Sequence, residues 1–397
     1  MGLRVEQHDS GLDGRLRRRR RLPQPGLFRP ALQRARRARG LQVRARREAL
    51  GDRARRRLRL GRAAGQAAEA GAGCRSAPVI GWLARRLSPA GAGARLSVLI
   101  LHRVQPEPDA LFPGEIDARF FDALCGWLPR WFRVLPLAEA VQRLREGSLP
   151  AAALSISFDD GYADNHDVAL PILKRHGLAA TCFVATGFLD GGLMWNDRVI
   201  ESLRRTPQER IDLGALGVAN AQKLPLTTPA ERRQAIDRVL GAFKYLEQAA
   251  RDAAVQALVR ACGAALPGDL MMRSSQVRAL AAGGMDIGAH TISHPILARL
   301  DAGRAEAEMR GGRDALQALI DAPVPLFAYP NGRPGSDYLP EHVRLAREIG
   351  FEAAVSTSWG VTTRADDPFQ IRRFTPWDRS RVRFGARLLA NLRHAGG

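Results

Sequence analysis

A parallel α/β fold of barrel type is what this sequence predicts from about residue 96 onward. Two observations carry that reading. Short apolar runs are each followed by a polar loop and an amphipathic helical stretch, the alternation of parallel βα units. The runs number seven, which suits a sheet closed on itself.

In chain order, strands are expected over Ser97–His102, Leu154–Phe158, Ala180–Val184, Met285–Ala289, Pro325–Tyr329 and Glu352–Ser356, with a short one near Phe369–Arg373. Apolar residues at helical spacing predict helices over Ala118–Leu128, Leu137–Glu146, Ala163–His176, Ser274–Ala282, Ala302–Ile320 and Glu341–Ile349. Between Asp190 and Met272 the alternation lapses into a largely helical stretch, clearest over Pro229–Leu246 and Ala249–Ala261. It reads as an insertion packed over the barrel, either shaping a substrate groove or merely embellishing the fold. In parallel α/β folds the chemistry gathers where strand carboxyl ends meet loops.

The chain has 397 residues, 45% hydrophobic, and a formal net charge of +21. That charge is lopsided. Residues 1–75 hold 22 arginines, no lysine and 6 acids, a net +16, which leaves only +5 for the other 322 residues. The barrel region therefore needs no polyanionic partner, and nucleic-acid binding rests on the tail alone. Residues 1–75 are Ala/Gly-rich between arginines and have no sustained apolar period, the composition of a disordered segment. They read as a nucleic-acid or anionic-membrane arm, as a targeting segment, or as upstream sequence outside the true protein. Usage of 58 Arg against 3 Lys, as in GC-rich coding, favours the last. With no Met between Met1 and Met194, a later start requires another codon, for instance at Val79. On that reading, mass spectrometry of the native protein is expected to yield no peptide from residues 1–60, and finding one would overturn it.

No run of about 18 apolar residues occurs, so no transmembrane helix is expected. Ala77–Leu101 is interrupted by Arg85, Arg86, Pro89 and Arg95 and has no signal-peptide core. A cytoplasmic location is expected, with peripheral attachment to a membrane as its variant. Cys74, Cys125, Cys182 and Cys262 are far apart and read as free thiols of a reducing compartment.

Chemistry concentrates at two strand ends. Leu154 to Phe158 runs into Asp159-Asp160-Gly161, and Met285 to Ala289 runs into His290 and, four residues on, His294. Taken alone, the first is an ordinary turn and the second a common helix-face pair. Placed together, they offer two imidazoles and one carboxylate, the three-ligand set of a catalytic zinc-type site with a position left open. The other aspartate is then free to take a proton from attacking water. A third strand end, Phe327-Ala328-Tyr329-Pro330-Asn331-Gly332, enters a turn whose backbone N–H groups suit an oxyanion.

The order Ser157-Phe158-Asp159-Asp160-Gly161, then His290-Thr291-Ile292-Ser293-His294-Pro295, then Phe327-Ala328-Tyr329-Pro330-Asn331-Gly332 resembles the polysaccharide deacetylase family, the NodB-homology domain of carbohydrate esterase family 4. Leu101-His102-Arg103-Val104 resembles a first-strand element found in many members. The resemblance spans about residues 96–375. It implies a distorted (β/α) barrel, here of (β/α)7 type with a helical insertion at about 190–272, filling a domain of residues 76–397. It implies removal of N-acetyl groups from N-acetylglucosamine-type glycans or lipid-linked sugars, in bacterial cell-surface or exopolysaccharide metabolism. A divalent metal, zinc foremost and cobalt as the alternative, comes with it.

Carried over by position, the resemblance makes Asp159 the base and Asp160, His290 and His294 the metal ligands, with the backbone at Asn331 at the oxyanion. Substrate contacts are expected from Tyr329 and Pro330 in the third motif. Others are expected from Trp195 and Asp197 after the third strand; His102 reads first as a core-edge histidine and second as a substrate contact. Trp359 and Trp377 are further sugar-stacking candidates, and for these as for Trp195 a core or rim aromatic without a ligand is an equal reading. His166 and His176 read as surface or packing residues.

Two departures stand out. Ala328 occupies the place where the family often has an arginine that orients the base. Phe369-Gln370-Ile371-Arg372-Arg373 lacks the histidine often used as general acid. Arginine cannot release a proton at neutral pH, so Arg373 is expected to orient Asp159 from the other side, and the leaving amine's proton falls to Asp159 or to another histidine. Competing functions are a deacylase, such as a deformylase, of another lipid-linked amino sugar and a catalytically silent glycan-binding barrel. Against the latter stands the complete Asp-Asp/His/His set.

Overall fold

The structure is a computed structural model that describes residues 79–216, 223–374 and 378–394. The expectations for residues 1–75 and for Trp377 fall outside the described residues.

A parallel sheet forms the core, its strands running β1 (Ser97–Leu101), β3 (Ala153–Phe158), β4 (Thr181–Val184), β7 (Asp286–Ala289), β8 (Leu326–Ala328) and β9 (Ala353–Val355) in spatial order. A two-residue strand, β2 (Arg133–Val134), extends β3. Apart from β2, which the sequence did not suggest, these strands match the predicted runs to within one or two residues at each end. The expected seventh strand is a correction. Near Phe369–Arg373 only Ile371 bridges Val355 of β9 and only Phe374 bridges Leu99 of β1. The sheet is thus curled into a half-barrel whose remaining gap is spanned by this irregular segment.

Every residue of β1, β3, β4, β8 and β9 is buried, as expected of parallel strands covered on both faces. Alternation sorts the side chains into two layers. Leu99, Leu101, Ile156, Phe158, Val184 and Phe327 face the surrounding helices, whereas Val98, Phe183, Ala328 and Val355 fill the interior with the helix Leu137–Glu146. Each large side chain so buried contributes roughly 1.5–3 kcal/mol. Gly288 is required by this interior: a Cβ there would lie 2.3 Å from the Phe183 ring. The period of two also aims the chemistry. Ser155, Ser157 and then Asp159 follow one another on the inward side of β3.

Helices surround the sheet at Ala118–Trp131, Leu170–His176, Ser274–Ala282, Ala302–Ile320 and Pro340–Ile349. The sequence pattern did not reveal two short flanking helices, Val79–Leu87 and Arg381–Asn391, which pack on each other. The insertion holds three helices, Trp195–Arg205, Pro229–Phe243 and Gln248–Cys262, around their own apolar cluster. It also contains an antiparallel pair, β5 (Arg210–Asp212) and β6 (Lys223–Pro225), so it is less purely helical than its sequence suggests. Cys125, Cys182 and Cys262 are buried and unpaired. Among the described residues no helix is long and apolar enough to cross a membrane.

Candidate metal and hydrolytic site

A cavity of about 410 Å³ opens at the carboxyl ends of the strands, and Asp159, Asp160, His290, His294 and Asn331 all line it. The chain reaches it through bent backbone. Among the described non-glycine residues, seven have positive φ, and four of them, Asp160, Thr291, His294 and Asn331, belong to the loops of this site. Strain of this kind, about 1–3 kcal/mol per residue, persists only where surrounding contacts over-determine it. Gly161, at φ +92°, admits the turn after Asp160; a Cβ there would also crowd Val184 at 3.0 Å.

His290 and His294 each place Nε2 near one oxygen of Asp160, at 3.5 and 3.4 Å from Oδ1. All three ligand atoms lie within 4.8 Å of one another. Ligands about 2.0–2.1 Å from a tetrahedral zinc sit about 3.3–3.5 Å apart, so the spacing fits a shared cation better than mutual hydrogen bonds. Asp160 Oδ1 is buried with no hydrogen-bond partner, an orphan that a cation would satisfy. Burial pushes Asp160 up, but the two imidazoles outweigh it and hold the carboxyl well below the usual range. Burial pushes His294 down to about 4, to the neutral form that a ligand requires. His290 Nδ1 donates to the Ala328 carbonyl at 2.7 Å, which leaves Nε2 free to bind. Ala328, where an orienting arginine was missed, thus steadies a histidine through its backbone.

The loop between the histidines is pinned from behind. Glu308, on the helix Ala302–Ile320, accepts from Ile292 N, Ser293 N and Ser293 Oγ at 2.9, 2.8 and 2.7 Å. Nothing in the sequence marked it, because its role depends on a helix packing beneath a loop. Glu308→Ala is expected to weaken zinc binding about 10- to 100-fold, as loss of ligand support typically does, measured by competition with a chromophoric chelator; unchanged affinity would refute the role.

Asp159 is held separately. Arg373 donates from Nη1 to Oδ1 at 2.7 Å and from Nη2 to Oδ2 at 2.8 Å, a two-point pair with both residues almost fully buried. The guanidinium is itself fixed by Ser356 O and Ser157 Oγ. Burial raises the Asp159 pKa, yet Arg373, with His290 adding to it, brings the carboxyl below its ordinary value. Arg373 touches Asp159 and lines no part of the cavity, the geometry of a positioning group.

The expected substrate residues divide. Asp197 and His102 line the cavity, and His102 is exposed there, so the core-edge alternative does not hold. Tyr329 reaches the lining, but its ring is fully buried, stacked on Tyr338, and its hydroxyl is given to Phe369 O. Pro330 is buried and outside the lining. Trp195 is a further correction. It packs in the insertion's own core under Arg251, because it begins a helix whose apolar face turns away from the cavity. Trp359 is exposed against Phe374 and lines no part of it. His176 pairs with Asp122, and His166 with Asp167, away from the site. Arg103, from the first-strand element, joins the lining, as do Tyr162, Thr357 and Arg204, which had no signal in the sequence pattern.

A sequence profile described as polysaccharide deacetylase matches residues 146–354. The YxkH protein of Bacillus subtilis (strain 168), assigned by its name to the polysaccharide deacetylases, is 21% identical over 282 residues, covering 70% of this chain and 71% of that protein. Among solved structures, the Streptococcus pyogenes deacetylase PplD in complex with acetate aligns with a TM-score of 0.50 at 18% identity, over 75% of this chain and 98% of its own. IcaB from Ammonifex degensii aligns with a TM-score of 0.47 at 18% identity, over 75% and 97%. The likeness to PplD is one of fold, a curled parallel sheet ringed by helices.

Proposed function

This chain belongs to the polysaccharide deacetylase family and is a hydrolase of carbon–nitrogen bonds, and on that premise we propose that it uses a divalent metal to remove N-acetyl groups from an N-acetylglucosamine-type glycan or lipid-linked sugar. Its setting is bacterial cell-surface or exopolysaccharide metabolism. The observation that carries the reading is the Asp160, His290 and His294 triangle beside an Arg373-held carboxylate in one cavity.

Asp160, His290 and His294 would hold the cation, zinc by preference of this donor set and cobalt as the alternative. When bound, it polarises the acetyl carbonyl and lowers the pKa of water. Asp159 takes the proton of the attacking water: each of its oxygens accepts from Arg373 and keeps a second lone pair for that purpose. The Asn331 turn supplies a backbone N–H toward the developing oxyanion. His102, the one histidine in the lining besides the metal pair, enters as imidazolium and gives its own proton to the leaving amine, and the proton taken up by Asp159 returns to solvent as the site resets.

The wild-type protein loaded with zinc or cobalt is expected to release acetate from N-acetylglucosamine oligomers. Removing the metal with a chelator should cut the rate by a factor on the order of 10² or more, since several kcal/mol of charge stabilisation leave with it. Release unaffected by chelation would overturn the metal assignment.

A further inference from the structure

The wall opposite the metal triangle is built by the insertion. Asn196, Asp197, Ile200, Glu201 and Arg204 all line the cavity. Their spacing is that of one helix face, while Val199 and Leu203 on the other face join the insertion's core. Arg204 anchors this wall to the loop after β1, donating to Asp109 at 2.6 and 2.9 Å and to Glu201 at 2.9 Å. The polar groups are thereby mostly spent. Arg204 is consumed by two carboxylates, Glu201 by Arg204 and Arg205, and Arg103 by Asp164.

Asp197 is different. It is 4% exposed, yet its hydrogen bonds are to one partner, the Tyr162 hydroxyl, at 3.1 and 3.2 Å. Among the described residues no cation forms an ion pair with it. Tyr162 follows Asp159-Asp160-Gly161 directly, and Arg103 lies over its ring at 4.8 Å. The contact therefore fixes Asp197 relative to the hydrolytic residues. A carboxyl this buried, in a cavity wall and with most of its hydrogen-bonding capacity unused, awaits a polar partner. Burial first, and then the nearby Asp160 charge, push it up to about 7, so that it can both give and accept a hydrogen bond near neutrality. A sugar hydroxyl offers the matching pair of functions.

We propose that Asp197, seated by Tyr162, binds one ring hydroxyl of the sugar whose N-acetyl group is removed, and that the insertion's helix Trp195–Arg205 is the element that presents it. The assignment rests on the deacetylase reading above and names how that cavity grips its substrate.

The test separates the two. Oligomer binding is measured by calorimetry in metal-loaded Asp159→Asn protein, where no turnover is needed, while acetate release is read independently in the wild type. Adding Asp197→Ala should weaken binding about 10- to 100-fold, the size of one hydrogen bond to an ionisable group. Adding Asp197→Asn, which also gives and accepts, should stay within about threefold of the parent. An oligomer lacking the relevant ring hydroxyl should lose as much affinity as Asp197→Ala causes, and lose nothing more on that variant. In otherwise wild-type protein Asp197→Ala should raise KM and leave kcat nearly unchanged.

Unchanged affinity of Asp197→Ala would overturn the proposal. So would binding by Asp197→Asn as weak as by Asp197→Ala, which would mark recognition of a cation. Equal losses of melting temperature in Asp197→Ala and Tyr162→Phe with no change in KM would reduce the pair to packing. Absence of acetate release by the wild type, with affinity still dependent on Asp197, would overturn the deacetylase reading alone.

Discussion

Asp159→Asn is expected to lower kcat by about 10²- to 10⁴-fold, the size of a lost general base, while zinc still binds. The amide keeps the volume of the carboxylate but cannot take a proton, and Asp160, His290 and His294 are left untouched. The substitution also strands the Arg373 guanidinium, which is 1% exposed, without its counter-charge. Breaking a buried pair from one side costs about 3–5 kcal/mol, so the rate is read on protein whose circular dichroism and zinc affinity are those of the wild type. Equal acetate release by Asp159→Asn and wild type would overturn the assignment of the base.

Arg373→Met is expected to strike stability and turnover together. It leaves Asp159 buried without its principal cation, at a similar cost of about 3–5 kcal/mol, seen as a lower melting temperature at neutral pH. With the guanidinium gone, burial acts unopposed by its main counterweight and the Asp159 pKa rises. The acid limb of the kcat/KM profile should therefore move to higher pH. The sign for stability follows from the depressed value in the folded protein. The pair's contribution is complete above the ordinary aspartate pKa of about 3.9 and is lost as pH falls through the lower folded value. Melting curves taken from about pH 7 down to about pH 3 should accordingly converge for wild type and variant at the acid end. Arg373→Lys, which keeps charge but not the two-point geometry, should recover only part of the activity. Full activity in Arg373→Ala would exclude the orienting role.

Covered parallel strands read as short, largely apolar runs, which is why β1, β3, β4, β7, β8 and β9 were legible in the sequence. The closing segment was harder. Its residues contribute isolated bridges at Ile371 and Phe374 in place of a ladder, and no apolar run marks such a span. The hydrolytic residues were legible because they sit at strand ends in a fixed order. Their supports were less so: Glu308, which acts through backbone amides of a neighbouring loop, left no mark, while Arg373, 214 residues from Asp159, was expected beside it only through the family pattern. Trp195 and Asp197 show the limit most clearly. Both looked like substrate contacts, and the helix they share turns one into its own core and the other into the cavity.

From the amino-acid sequence alone came the parallel α/β architecture, the carboxylates and imidazoles assigned to the chemistry, and the family these resemble. All three rest on local regularities, the period of side chains along strands and helices and the composition of the turns that end them. Only the tertiary structure decided how Arg373 grips Asp159, which oxygen both imidazoles share, and which face of the insertion lines the cavity. Those depend on distances of a few ångströms between segments far apart in the chain, and such distances are set by packing across the barrel, which no local pattern records.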